Sequence, residues 1–281
     1  MKKTSLVFPA VLSLLALAAC SKDGNTGSVK SDIDEFEIGQ VIKTADRNYQ
    51  FEFYGDTAYL DVYTSIQWPT KLGKADLSVL QDTLLRFCYA DSVRRPVDDA
   101  IQAFLGDTAT YKDMVGAKTM TRVDSIPDGD NVRSFFSNAS ASVVEITEDM
   151  ATYQVTLSSY LGGAHPYTAI IPFTYALDSA RVLGLNDILT PAGVDSIMPV
   201  IRTALARQLE VPVEALDRAG IFTSQLTTPG RPYISGNVLY FHYNPYEIAP
   251  YSAGMIDVPV YPYEVAAWLK PQAKALLDSN L

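Results

Sequence analysis

Residues 142–177 read SVVEITEDMATYQVTLSSYLGGAHPYTAIIPFTYAL. Three runs rich in β-branched and aromatic residues lie in this stretch: Ser142–Thr147, Ala151–Tyr160 and Thr168–Leu177. Glu148-Asp149 separates the first two and Gly162-Gly163 the second pair, both with the chemistry of tight turns. Strands joined by so few residues pair antiparallel, because a parallel pair needs a crossover of a dozen residues or more. This part of the chain therefore predicts hairpins rather than a doubly wound parallel sheet.

The same reading extends outward. Phe51 and Phe53, then Tyr59, Asp61 and Tyr63 against Leu60 and Val62, predict two strands around Gly55-Asp56, ending at Trp68-Pro69. Leu77, Leu80, Leu84, Phe87 and Cys88 recur at helical spacing. A second helix is bracketed by Pro96 and Gly106. Val194, Ile197, Met198, Ile201 and Leu205 predict a third, with Pro199 either kinking it or marking its first turn. Val238–Tyr243 and Met255–Val260 read as strands, and Pro262 opens a closing helix that bends or restarts at Pro271. Hairpins mixed irregularly with helices predict an α+β fold, with helices packed on antiparallel sheets. Turn chemistry at Ile126-Pro127-Asp128-Gly129-Asp130 suggests a seam near residues 126–140. The expected division is two interlocked subdomains, 36–139 and 140–281.

The N-terminus reads as a targeting segment. Lys2-Lys3 precede an apolar run, Leu6–Ala19, which ends in Leu17-Ala18-Ala19-Cys20. Small residues before a cysteine are what a lipoprotein signal peptidase cuts, so residues 1–19 are expected to be a signal peptide. Cys20 is then the lipid-attachment residue, whose acyl chains anchor the protein to a membrane. Residues 20–35 are poor in apolar side chains and read as a tether. Ser21 after the cysteine predicts sorting to the outer membrane, facing the periplasm or the cell surface. Hydrophobic residues make up 48% of the chain, enough for a sizeable core. Lys and Arg total 22 against 32 Asp and Glu, a net charge of −10 without a basic cluster. That balance excludes nucleic acid as a partner. With Cys20 lipidated, Cys88 stands alone in a helical pattern and reads as a small buried hydrophobe.

Chemistry-bearing residues are sparse. The chain has two histidines, His165 and His242. His165 follows the glycine turn, where it is either an exposed acid, base or ligand, or a hydrogen bond across a bulge. His242 alternates with Phe241 and Tyr243 on an expected strand and reads as structural. A zinc site from His165, His242 and Glu247 lacks any local pair at metal-ligand spacing, so no metal or other cofactor is expected. No Gly-x-Ser-x-Gly, Gly-x4-Gly-Lys or Gly-x-Gly-x-x-Gly occurs. The segment FHYNPYEIAPYSAGMIDVPVYPYEV, residues 241–265, interrupts tyrosines with prolines and reads as an ordered loop between two strands. Tyr243, Tyr246 and Tyr251 offer apolar faces tipped with hydroxyls, which suits either a packed connection or a binding surface. Glu247 among them is expected to accept their hydrogen bonds and pin the loop.

Several of these motifs fall together in a known pattern. Gly162-Gly163-Ala164-His165, the strand through Phe173 and Tyr175, Leu185-Asn186-Asp187-Ile188-Leu189 before a helix, and Tyr243-x-x-Tyr246-Glu247-Ile248-Ala249-Pro250-Tyr251-x-x-Gly254 with Val258-Pro259 resemble the RsiV-type extracellular domain. The resemblance covers residues 140–281, and the preceding segment resembles the domain that usually accompanies it. It implies an α+β fold without catalytic activity of its own. The family is named for an anti-sigma factor that recognises lysozyme, and related domains accompany a peptidoglycan deacetylase whose chemistry belongs to a separate domain. The expected function is a lipid-anchored envelope protein that binds a protein or a glycan, with His165, Tyr243, Tyr246, Glu247 and Tyr251 as candidate contacts. The alternative is a hydrolase of cell-wall or glycan material using His165 or Glu247 as acid or base.

Overall fold

Two long strands open the fold, β1 (Ile38–Phe53) and β2 (Asp56–Leu72), paired antiparallel. The computed structural model describes residues 36–91, 94–129 and 132–278. The expected signal peptide, Cys20 and the tether lie outside the described residues. Tyr54 and Gly55, both at positive φ, form the two-residue turn, since that geometry matches the twist of the flanking strands. Along β2, Ala58, Leu60, Val62, Thr64 and Ile66 are buried, while Tyr59, Asp61, Tyr63 and Ser65 face outward. This is the period-two signature of a half-buried strand.

Three helices follow: α1 (Ser78–Tyr89), α2 (Val97–Gly106) and α3 (Thr108–Val115). Leu80, Leu84 and Cys88 pack on Ile66, Tyr153, Val155 and Phe173. Ile101, Leu105 and Tyr111 pack on Tyr49, Phe51, Leu60 and Phe135. The chain then adds β3 (Met120–Val123) outside β1 and enters β4 (Arg133–Ile146), which lies parallel to β2. The helical crossover supplies the length that a parallel pairing requires. β5 (Met150–Tyr160), β6 (Tyr167–Ala176) and β7 (Arg181–Val182) complete a seven-stranded sheet of order β3-β1-β2-β4-β5-β6-β7.

A second sheet forms from β8 (Arg231–Ser235), β9 (Val238–Tyr243) and β10 (Ile256–Val260), with β9 central. Its inner residues Ile234, Leu239, Phe241, Val258 and Val260 share a core with Ile197, Ile201 and Leu205 of α5 (Pro191–Gln208). Leu276 and Leu277 of α7 (Pro271–Asp278) close the same core. The short helices α4 (Leu185–Ile188) and α6 (Pro262–Val265) lead into α5 and follow β10. A buried threonine pair joins the two sheets. Thr152 Oγ1 donates to the Ile234 carbonyl at 2.6 Å, and Ile234 N–H donates to Thr174 Oγ1 at 2.8 Å. β5 therefore has α1 on one face and the small sheet on the other, which explains its run of buried residues.

The fold class is the expected α+β, with one parallel pairing in an otherwise antiparallel framework. Several boundaries differ from the sequence reading. Residues 36–281 form one compact unit, and the division expected at 139/140 falls inside β4, whose first half is hydrogen-bonded to β2. β2 does not stop at Trp68-Pro69. Pro69 sits beside a register shift between Gly39 and Gln40, an irregularity that tolerates a residue without an N–H. The first-turn proline of α5 is Pro191, with Thr190 Oγ1 accepting from Gly193 N–H, so Pro199 lies inside the helix instead of starting it. α3, β3 and β8 carried too little periodicity to be expected.

Candidate functional site

The chain leaves β9 at Tyr243 and enters a loop whose shape is set by local polar contacts. Asn244 imitates a strand residue with its side chain: Nδ2 donates to the Ile170 carbonyl at 3.1 Å, and Oδ1 accepts the Ile170 N–H at 2.6 Å. Those two bonds fasten the loop to β6. Glu247 Oε2 accepts Asn244 N–H at 2.9 Å, Glu247 N–H donates to the Asn244 carbonyl, and Tyr246 N–H donates to the Ala249 carbonyl. Glu247 thus pins the loop through the backbone, in place of the expected tyrosine hydroxyls. The turn holds Tyr246 at φ 70°, a left-handed conformation that a bulky side chain adopts only when its surroundings impose it.

The glycine turn meets this loop. Gly162 has φ 89°, and a Cβ there would lie 2.8 Å from the Phe135 ring, so both the conformation and the space require glycine. His165 is thereby presented at the loop tip. Its Nδ1 lies 2.8 Å from the Pro166 carbonyl, which can only accept, so Nδ1 carries a hydrogen. Nε2 lies 3.1 Å from the Tyr246 hydroxyl, and Tyr251 Oη donates to the same Pro166 carbonyl at 2.9 Å. The imidazole stacks on the Tyr251 ring with centroids 3.8 Å apart, and Tyr246 lies 5.9 Å from Tyr251. His165, Tyr246 and Tyr251 are therefore one exposed aromatic cluster, built from two segments 81 residues apart. Tyr246 is half exposed, at 50%.

Tyr243 stands apart. It is buried, its hydroxyl donates to the Thr228 carbonyl at 3.1 Å, and burial pushes that hydroxyl up to about 12. Its place is in the core beneath the loop. His242 is 2% exposed, with Nδ1 2.8 Å from Asp257 Oδ1 and Nε2 3.4 Å from Asn244 Oδ1. With Tyr243, Asn244, Glu247, Arg231, Thr228 and Ile170 it borders a cavity of about 570 Å³. Burial and the nearby Arg86 lower the affinity of the Arg231 guanidinium for its proton, and Glu247 opposes them.

Sequence reasoning missed a further aromatic group on the outer side of the small sheet. Tyr233 and Tyr240, paired across β8 and β9, stack at 5.0 Å, and Tyr261 stacks on Tyr263 at 5.7 Å. Arg207 lies 5.2 Å over Tyr261 and forms a two-pronged ion pair with Glu264 at 2.7 and 3.2 Å. Tyr240 shares its strand face with His242, so alternation pointed to it, but its partner lies on β8, which the sequence did not reveal. Cys88 is buried, and desolvation pushes its thiol up to about 12. Among the described residues no group of three His, Cys, Asp or Glu side chains is placed to hold a metal ion. Nor is any helix among them long and apolar enough to cross a membrane.

Comparison with known proteins finds the same fold elsewhere. Residues 186–268, spanning α5, the small sheet and the tyrosine loop, match the family described as "Protein of unknown function (DUF3298)". The fold is similar to a crystal structure of a DUF3298 family member from Bacteroides fragilis, with a TM-score of 0.67 at 18% identity, covering 87% of this chain and 100% of that one. A DUF3298 family protein from Pseudomonas aeruginosa aligns with a TM-score of 0.54 at 16% identity, covering 85% of this chain and 97% of that one. At such identities the likeness shows a shared fold. No curated protein matches the chain.

Proposed function

We propose that this protein is a lipid-anchored binding module of the bacterial cell envelope, of the RsiV-type extracellular class, which holds a cell-wall glycan without transforming it. The observation that carries this reading is the His165–Tyr246–Tyr251 cluster. His165 and Tyr246 are exposed and Tyr251 is partly so, yet their positions are fixed by hydrogen bonds to Pro166 and to one another. Aromatic faces held rigid at a surface lose little conformational freedom when a sugar ring or an apolar side chain stacks on them. Tyr246 is kept at a strained φ by three local backbone and side-chain bonds, and strain of that kind collects at ligand-contacting loops. The leader ending in Ala19-Cys20 supports the envelope and the lipid anchor.

The test is co-sedimentation of the full chain with purified, insoluble peptidoglycan, with an immobilised lysozyme as a second arm. Retention on peptidoglycan is expected, with at least tenfold weaker retention of the Tyr246→Ala/Tyr251→Ala double variant. Retention on lysozyme alone would replace the glycan with a protein ligand on the same face. Absence of retention in both arms would refute the module. The rival reading is hydrolysis with His165 or Glu247 as acid or base, and it predicts soluble fragments in the supernatant that the His165→Ala variant no longer releases.

A further inference from the structure

The loop residues Asn244, Glu247 and Ile248 also line the cavity of about 570 Å³, a volume suited to a small molecule or a dipeptide. Two charged side chains of opposite sign border it, Arg231 and Glu247. They sense one another's charge, yet among the described residues no ion pair joins them. Among the described residues the Arg231 guanidinium has no carboxylate or hydrogen-bond partner. Its one ring contact is Phe87, 5.3 Å away, and Arg86 lies 5.1 Å from the same ring. Glu247 uses Oε2 to hold Asn244 N–H, and no partner is recorded for Oε1 among the described residues. Both residues are exposed, and among the described residues the guanidinium is left unpaired at a cavity whose lining also carries the Glu247 carboxylate.

The floor between them is built for close approach. A Cβ on Gly230 would lie 2.3 Å from the His242 carbonyl oxygen, so only glycine lets the start of β8 run this close to β9. The same strand start sets the position of Arg231. The side chain of Asn244 and the backbone near Thr228 supply neutral polar groups on the remaining walls.

We infer that this cavity is a site for a zwitterionic amino-acid group, its carboxylate taken by Arg231 and its ammonium by Glu247. A carboxylate matches the planar fork of a guanidinium, and an ammonium matches a carboxylate oxygen. A ligand carrying both charges a few bonds apart meets both side chains at once, whereas a singly charged ligand meets one. Two sources carry this chemistry: a free amino acid or dipeptide, and the stem peptide of the cell wall. The site uses different side chains from the aromatic cluster, with Glu247 also holding the loop that carries Tyr246.

Isothermal titration calorimetry on the full chain decides the matter, with glycylglycine and the stem tripeptide L-Ala-D-Glu-meso-diaminopimelate as probes. Blocked probes, N-acetylglycylglycine and glycylglycinamide, remove one charge each. Saturable binding of at least one zwitterionic probe is expected, with each blocked glycine probe at least tenfold weaker than glycylglycine where glycylglycine binds. Preference for the tripeptide assigns the wall stem, and preference for glycylglycine assigns a free peptide. Arg231→Gln should abolish the cost of blocking the carboxylate, and Glu247→Gln the cost of blocking the amine. Circular dichroism of each variant confirms its fold, and the probe comparison on the wild type needs no variant. Absence of binding by both zwitterions, or equal binding of blocked and unblocked forms, overturns the inference. Loss of peptidoglycan retention in the Tyr246→Ala/Tyr251→Ala variant with zwitterion binding intact would separate the two sites.

Discussion

The two histidines of this chain sit at opposite extremes of the same fold. His165 stands at a loop tip, stacked on Tyr251 and bonded to Tyr246, with its surroundings open to solvent. His242 lies mid-sheet, 2% exposed, between Asp257 and Asn244. What separates them is backbone context. The central strand β9 buries Phe241, His242 and Tyr243 in succession and must satisfy their polar atoms, whereas a turn after two glycines places its side chain where the fold needs nothing from it. The polar groups around His242 hold the structure, and the rings around His165 remain available to a ligand.

That contrast can be broken most directly at Phe241, the neighbour of His242 that points into the core between α5 and the small sheet. Phe241→Ala should cost about 3–5 kcal/mol in urea unfolding, the range for a fully buried aromatic. Tyr246→Ala should cost less than about 1 kcal/mol, and Tyr246→Gly less still, since glycine adopts positive φ freely. A large loss from Tyr246→Ala would show that the loop tip is part of the core after all.

Next in size is Asp257→Ala, which leaves the buried His242 Nδ1 without its partner. A loss of about 1–3 kcal/mol is expected, the cost of an unsatisfied buried polar group. The matching loop-tip change, Tyr251→Ala, should be nearly neutral in unfolding while weakening ligand retention.

Glu264 occupies a middle ground, and its pH dependence sharpens the contrast. Partial burial raises its pKa, but the bonds from Arg207 and from Tyr261 N–H outweigh that, so the folded value lies below the ordinary one. A depressed carboxylate contributes stability above its unfolded pKa and loses it as pH falls through the folded value. Glu264→Gln should therefore cost about 1 kcal/mol at neutral pH, given the exposure of Arg207. The gap to wild type should close as pH falls below about 4. A gap that persists at low pH would mean that shape, not charge, is what Glu264 contributes.

The smallest effect carries the opposite sign. Asp61 is held above its ordinary pKa, first by desolvation and then by Asp46 on the neighbouring strand. Its folded form prefers the proton, so it opposes folding once pH rises through the folded value. After the solvent screening expected at this partly exposed site, Asp61→Asn should raise the unfolding midpoint by at most a degree or two at pH 7, on the order of half a kcal/mol. The gain should vanish at pH values below the unfolded carboxylate range.

Much of the architecture was legible because period-two and helical patterns survive wherever one face is buried. β5, β9, α1 and α2 all announce themselves this way. The first half of β1 does not, since Ile38–Asn48 is largely exposed and reads as polar coil. β4 hid its start because the buried positions that follow Phe135 are the small residues Ala139 and Ala141. At the site, the loop chemistry of Tyr246 and Tyr251 and the turn at His165 were visible separately. Their meeting was not, because it depends on Asn244 bolting one loop to Ile170 of another strand. Tyr243 was misplaced for a related reason: its hydroxyl partner, the Thr228 carbonyl, belongs to the chain just before β8, which the pattern did not reveal. Arg231 was invisible as a site residue, since an unpaired charge becomes apparent only when its neighbours are known.

On the function proposed above, the C-terminal half of this protein holds a wall ligand and leaves it unchanged. Mass spectrometry of defined peptidoglycan fragments, incubated with the full chain and then recovered from it, tests this in one measurement. Fragments that co-elute with the protein at unaltered mass are predicted. Fragments that elute free of it, or that return deacetylated or cleaved, would contradict the account.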